Sequence, residues 1–382
     1  MNNKCPIFKI SVFNSFIRML QLAPAMFMGI YFSQINLSGG QIGVIFAVYT
    51  VTGILSIIPS SFSNDKFKSK NLIVFSLVLL AIQFVGIGLT HDFILISILI
   101  FFGGLGKALY TSSADSLFLK STKKTNVNKK IATFQSLQYT MIGLGMILIG
   151  FTLNLQISFE KIFIVIGFIY LLMTIVAFLN LPDNRVAKFE IIHYKKDIFR
   201  PKVVFLLIIM FLFSFHFGAE QTTYGLFLKE TLELSSINIG LYMGIAVIFM
   251  AFTSVYIGKK LPKWTAAYVL IFALFTSGLG HILMVLEPAY LSVVFRIIHE
   301  IGDASMFFFL YYGISKMFDL ERIGGNSGIF KFIIAIGTVI GALIFGPMGE
   351  AYGYHLPLIV SGSIQLFSAL LALPFIHLAH HE

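Results

Sequence analysis

The side chains best placed to do chemistry are ionisable residues inside long apolar runs: Arg18, Lys107, Asp115, His216, Glu220, Arg296, His299, Glu300, Asp303 and Lys331. A charged side chain at the centre of a membrane helix costs about 2.5–3.5 kcal/mol on insertion scales, so it is kept where it faces a polar path and has work to do. The segment 296–303 is the densest. Arg296 and Glu300 are spaced i,i+4, as are His299 and Asp303, so a helix puts all four on one broad face. His216 and Glu220 repeat that spacing. Desolvation favours the protonated form of a carboxyl group and a neighbouring cation favours the ionised form, so a group held between the two can take up and release a proton. Two readings are open: proton handling at Glu220, His299, Glu300 and Asp303, or fixed ion pairs between helices. Asp115 and Lys331 stand near the ends of their runs, where snorkelling to the interface would satisfy them. His281, alone in its run, reads as a packed, hydrogen-bonded residue.

Composition dictates what must position these residues. Of the chain, 57% is hydrophobic and 12% charged, with a mean hydropathy of +0.90. A water-facing domain carries about a quarter charged residues. The apolar residues come in runs of about twenty, the length that spans a bilayer core as a helix. Lipid offers the backbone no hydrogen bonds, so spanning segments are helices or strands of a closed barrel. Barrel strands alternate polar and apolar residues, and Leu72–Leu89 and Val203–Phe215 do not. The sequence therefore predicts an all-α membrane protein with about twelve spans. They lie near 7–32, 41–61, 71–90, 93–118, 131–153, 160–181, 203–228, 237–258, 265–286, 289–315, 326–349 and 355–377. The first is too long for a signal-peptide core and is interrupted by Asn14, Arg18 and Gln21, so it is expected to stay. The single cysteine, Cys5, excludes an internal disulfide and a cysteine-built metal site. No metal or cofactor is expected.

The net charge of +10 is sorted by side of the membrane. Lys4 and Lys9 lie at the N-terminus. Lys66, Lys68 and Lys70 follow in the second connection, and Lys120, Lys123, Lys124, Lys129 and Lys130 in the fourth. The sixth holds Arg185, Lys188, Lys195, Lys196, Arg200 and Lys202, the eighth Lys259, Lys260 and Lys263, and the tenth Lys316 and Arg322. The other connections hold only Lys161 and Lys229. Lys and Arg accumulate on cytoplasmic loops, which puts the first set and both termini in the cytoplasm and accounts for the basic balance without nucleic acid. The two halves also repeat. Leu37-Ser38-Gly39-Gly40-Gln41-Ile42-Gly43 corresponds to Leu234-Ser235-Ser236-Ile237-Asn238-Ile239-Gly240, and Gly106-Lys107-Ala108 to Gly302-Asp303-Ala304. Phe134, Gly145 and Gly150 correspond to Phe330, Gly341 and Gly346. The expected organisation is a six-helix bundle over 1–181, a basic cytoplasmic linker over 182–202, and a second bundle over 203–382. Parallel repeats of this kind hold a solute site between them.

At Leu37–Lys70 the chain resembles the major facilitator superfamily. It has that family's Leu-Ser-x-x-Gln-Ile-Gly entry to the second span. The connection Asp65-Lys66-Phe67-Lys68-Ser69-Lys70 is similar to the family's Gly-x-x-x-Asp-Arg-x-Gly-Arg-Arg motif. It departs at Ser61 and Lys68, where the family has Gly, and at Ser69, where it has a base. The resemblance implies a secondary active transporter that moves a small organic solute by alternating access, with the first, fourth, seventh and tenth spans lining the cavity. Arg18, Lys107, His216 and Arg296 would then face the substrate, with Gln135 and Gln138 either beside it or bonding helix to helix. A His-Glu pair with a nearby Arg on the tenth span resembles the proton site of the lactose permease type, at a different spacing. Asp65, Lys66 and Lys70 would form the cytoplasmic gate, with Asp65 approaching Asn326-Ser327-Gly328, where free helix amides favour an anion. Lys107 and Asp303, at matching positions with opposite charge, would either meet across the cavity or pair within their own halves. The family's drug/proton antiporters carry a Gly-rich fifth span ending in Gly-Pro. Here the fifth span has Gly143, Gly145 and Gly150 without proline, and Gly346-Pro347 stands in the eleventh. That weighs against efflux and leaves both directions open. The expected partners are a small-molecule substrate, protons and the lipid bilayer, for a monomer in the plasma membrane. An intramembrane protease lacks a second zinc ligand in His299-Glu300-x-x-Asp303, and a transport-dead sensor would need a soluble output domain.

Overall fold

The computed structural model describes residues 6–37, 39–122, 126–182, 196–260 and 266–374. Lys4, Cys5, Ser38, Lys123, Lys124, Arg185, Lys188, Lys195 and Lys263 lie outside the described residues, as do the side chains of Asp65 and Ile42. Among the described residues every regular element is helical. We number the long helices α1 (Pro6–Ala25, resuming as Met28–Gln34), α2 (Gly39–Lys66), α3 (Ser69–Ile87), α4 (Phe93–Thr122), α5 (Val127–Asn154) and α6 (Phe159–Asn180). There follow α7 (Pro201–Phe213, continuing in pieces to Thr231), α8 (Ser236–Lys260), α9 (Ala266–Leu283), α10 (Ala289–Met317), α11 (Ile323–Tyr352) and α12 (His355–Ala372).

Ten of these are long and apolar enough to cross a membrane. The exceptions are α1 and α10, and the reason is chemical. α1 carries Asn14, Arg18 and Gln21, and α10 places Arg296, Glu300 and Asp303 within two turns. Elsewhere the polarity of a soluble protein is inverted. Leu55 and Leu343 are 70% and 72% exposed, whereas Asn14, Gln83 and His216 are buried. Exposed leucine on a long helix suits lipid, and buried amides and imidazoles find partners only inside.

By contact the chain divides into two units that cut across the sequence halves. The first comprises Met1–Lys123, Thr152–Ile198 and Met317–Phe332; the second comprises Lys124–Phe151, Phe199–Lys316 and Ile333–Glu382. α5 therefore belongs by contact with the second unit, and the start of α11 with the first. The reason for α5 is a backbone-to-backbone crossing with α8. A Cβ on Gly143 would lie 2.5 Å from the Gly244 carbonyl oxygen, and one on Gly244 would lie 2.6 Å from that of Gly143. Only glycine on both helices permits that approach. In the first unit, the start of α11 presses Gly328 against the Ser61 side chain of α2. Arg322 Nε and Asn326 Nδ2 each donate to Asp197 at 2.9 Å, which ties the end of the inter-repeat connection to the same place.

Candidate functional site

Three helices of the second unit, α7, α9 and α10, converge on one buried cluster. α7 supplies His216 and Glu220, α9 Ser277 and His281, and α10 Arg296, His299, Glu300 and Asp303. All three histidines are fully buried. Their rings lie 4.5 Å (His281–His299), 5.2 Å (His216–His299) and 5.5 Å (His216–His281) apart. The geometry depends on irregularities in α7. Its α-helix breaks at Ser214, resumes over Phe215–Ala219, and gives way to π-helical turns at Glu220–Tyr224 and Phe227–Thr231. Wide π turns re-aim side chains and are frequent at functional sites. His216 and Glu220 are one regular α turn apart, the Glu220 amide bonding the His216 carbonyl, and each finds its partner on α10. His216 turns to Asp303, and Glu220 turns to α10.

Arg296 is held between two carboxylates. It donates to Glu220 and, at 2.6 Å, to Glu300, and its guanidinium lies 4.3 Å from the centre of the Tyr224 ring. The i,i+4 pairing of Arg296 with Glu300 is thus present as the spacing predicts. His216 Nε2 lies 3.1 Å from Asp303 Oδ2, while its Nδ1 lies 2.5 Å from the Phe213 carbonyl. A carbonyl oxygen only accepts, so Nδ1 carries the hydrogen. A neutral ring would then turn a bare lone pair towards the Asp303 carboxylate. The His216–Asp303 contact becomes attractive when it holds one more proton. His299 is placed similarly. Its Nδ1 lies 2.9 Å from the Ser277 carbonyl, and its Nε2 sits 3.2 Å from Glu220 Oε1 and 3.6 Å from Asp303 Oδ2, with no directed hydrogen bond to either. Ser277 Oγ donates to Asp303 Oδ1 at 2.5 Å and lies 2.9 Å from the Gln365 amide of α12. The donor atoms of His216, His299 and Asp303 lie within 4.8 Å of one another, as do those of Glu220, His281 and His299. That spacing suits shared protons or one cation, and Arg296 on Glu220 already supplies a positive charge.

The structure also revises two sequence expectations. His281 is not a solitary hydrogen-bonded residue. Both its nitrogens are buried without a hydrogen-bond partner, and it joins the cluster 3.9 Å from Glu220. Asp115 and Lys331 do not snorkel. They pair with each other at 2.7 Å in the first unit, because an ion pair offsets in place the desolvation that snorkelling would avoid. In that unit Arg18 donates to Thr111 Oγ1 at 3.1 Å and to Gln21 Oε1 at 3.3 Å, and Lys331 donates to the Thr111 carbonyl at 3.1 Å. Lys107 lies over the Tyr49 ring, 4.7 Å from its centre. Lys107 and Asp303 thus each have neighbours in their own unit. Of the α5 glutamines, Gln135 is buried with both amide atoms unpartnered, and Gln138 is buried beside it. Lys66 and Lys70 lie over the Phe67 and Phe178 rings. Asp197 carried no signal in the sequence, since it stands among basic residues outside any span.

No curated protein matches the chain by sequence. Among solved structures it is similar to the human organic anion transporter MFSD10 (TETRAN), with a TM-score of 0.77 at 12% identity, covering 97% of this chain and 100% of that one. At that identity the likeness shows the fold. The family model described as the Major Facilitator Superfamily matches residues 7–287. That match spans most of the chain, and it agrees with the Leu37–Lys70 motif and the twelve long helices. The chain belongs to the major facilitator superfamily, a family of multi-pass membrane transporters and not of enzymes.

Proposed function

We propose that this protein is a secondary active transporter that moves a small organic solute by alternating access and couples the movement to protons at Glu220, His299, Glu300 and Asp303. The observation that supports coupling is His216 Nε2 facing Asp303, with its Nδ1 committed to a carbonyl. That contact holds one proton when loaded and opposes two acceptors when empty. A proton gained or lost there changes the charge beside His299, which stands between Asp303 and Glu220. Glu220 in turn shares Arg296 with Glu300. Protonation is thereby linked to the ion pairs that fasten α7 to α10.

In this reading the repeats 1–181 and 203–382 are the two moving bundles. The linker 182–202 and both termini face the cytoplasm, and the monomer sits in the plasma membrane. Asp65, Lys66 and Lys70 gate the inner side against the start of α11. The close packing of Ser61 on Gly328 supports a gate at that place. Symport uptake is our reading of direction, and antiport efflux is the alternative.

The test is a solute panel in proteoliposomes under an imposed pH gradient. Asp303→Asn and Glu220→Gln are expected to abolish gradient-driven accumulation while sparing solute exchange at equal pH. A variant that still accumulates solute against its gradient removes that residue from coupling. The sign of the gradient that drives accumulation reports the direction.

A further inference from the structure

We infer that the transported solute is an organic anion, and that its anionic group is recognised in the first unit by Arg18 of α1 and Lys107 of α4, with the Gln21 amide beside them. The inference rests on the transport reading above and adds the charge class of the solute. By sequence the charges of the cavity are mixed and do not decide it. The pairing seen in the structure does. In the second unit Glu220 and Glu300 are taken by Arg296, and Asp303 by His216 and Ser277. In the first unit Asp115 is taken by Lys331. Of the cations singled out inside the apolar runs, Arg296 and Lys331 have carboxylate partners, and Arg18 and Lys107 have none among the described residues.

Their surroundings make this surplus costly without a ligand. Both are half-buried. Arg18 spends two hydrogen bonds on neutral groups, Thr111 Oγ1 and Gln21 Oε1. Lys107 rests on a tyrosine ring, which attracts a cation but does not neutralise it. Arg18 also lies close enough to repel both Lys107 and Lys331. Lys331 has Asp115 to offset its charge, Arg18 and Lys107 do not, and an incoming anion would relieve the repulsion between them.

A second observation points the same way. Gln21 is 4% exposed, and its Nε2 is buried with no hydrogen-bond partner. The contact with Arg18 fixes the amide oxygen on the guanidinium side, so the free end is an N–H donor. An unpartnered buried donor beside Arg18 fits an acceptor-rich anion such as a carboxylate or a phosphate ester. Arg offers such a group a planar fork and Lys a point charge.

The experiment uses the full-length purified protein with succinate, benzoate and glycerol 3-phosphate, and with their neutral amide and cationic amine counterparts. Binding is read by thermal shift in detergent, and transport by counterflow in proteoliposomes. At least one anion is expected to raise the melting temperature and to exchange, while the neutral and cationic counterparts do neither. The carboxylates and the phosphate ester separate the two chemical sources. Arg18→Gln and Lys107→Gln are each expected to weaken anion binding about tenfold or more, as loss of a charge-assisted contact does. Arg18→Lys and Lys107→Arg should recover part of it, which separates recognition from misfolding. Exchange of an amide or amine with no response to any anion overturns the inference and leaves the transport reading standing. Anion binding unchanged in both Gln variants overturns the site. Absence of any anion response in a protein that melts cooperatively overturns the inference as well.

Discussion

Arg296 stands between Glu220 and Glu300; Arg296 and Glu300 are buried and Glu220 is partly so. Removing the guanidinium would leave two carboxylates facing each other without a cation. Breaking a buried ion pair on one side costs about 3–5 kcal/mol. Arg296→Ala is therefore expected to melt well below the wild type in detergent, and the triple variant with Glu220→Gln and Glu300→Gln to recover much of the loss. A single variant that melts at the wild-type temperature would show that the cluster carries no stability through this pair. At this scale the sequence was half legible. The Arg296–Glu300 spacing is visible because α10 is a regular α-helix. The partner of His216 is not, because Asp303 stands on another helix and only the packing of α7 against α10 brings the two together. His281 reads in the sequence as a lone packed residue for another reason. It has no charged neighbour on α9, and only the packing of α9 against α7 and α10 brings it to the cluster.

Helix α5 crosses α8 where Gly143 meets Gly244, each within reach of the other's carbonyl. A side chain at either place must push the backbones apart. Overpacking of this kind costs about 1–3 kcal/mol. Gly143→Ala is expected to lower the melting temperature, and Gly143→Leu to lower it further and cut transport. Equal melting of wild type and Gly143→Leu would mean that the crossing is looser than the structure has it. Gly143 was visible in the sequence as a small residue of the fifth span, but its partner was not, since close approach depends on how α5 and α8 cross. Element existence and order were fully legible, because runs of about twenty apolar residues have no other stable form in lipid. Interruptions were not. α1 breaks after Ala25, one residue past Pro24, and α7 breaks at Ser214. No proline or charge marks Ser214.

For the whole molecule, the multi-pass helical class was readable because apolar runs of spanning length survive in the order of residues. The contact units were not, because α5 and the start of α11 follow their packing rather than their half of the chain. One contact inside the first unit bears on alternating access. Gly328 of α11 lies against Ser61 of α2, and a Cβ at 328 would collide with the Ser61 side chain. Ser61 is also where the family motif carries glycine. If this contact closes the inner side, a methyl group at 328 should hold the gate ajar, and removing the side chain at 61 should let it close again. A steric cost of about 1.4 kcal/mol shifts a two-state equilibrium tenfold, which accessibility can read. The test places one cysteine at Thr111, on α4 beside Arg18, in a Cys5→Ser background. Gly328→Ala is expected to speed its alkylation by a membrane-impermeant reagent applied from the cytoplasmic side, and to slow counterflow. Adding Ser61→Gly is expected to return both towards the starting values. If alkylation rises with Gly328→Ala and Ser61→Gly does not reverse it, the collision is not what holds the gate, and closure must rest on Asp197 and its bonds to Arg322 and Asn326 instead.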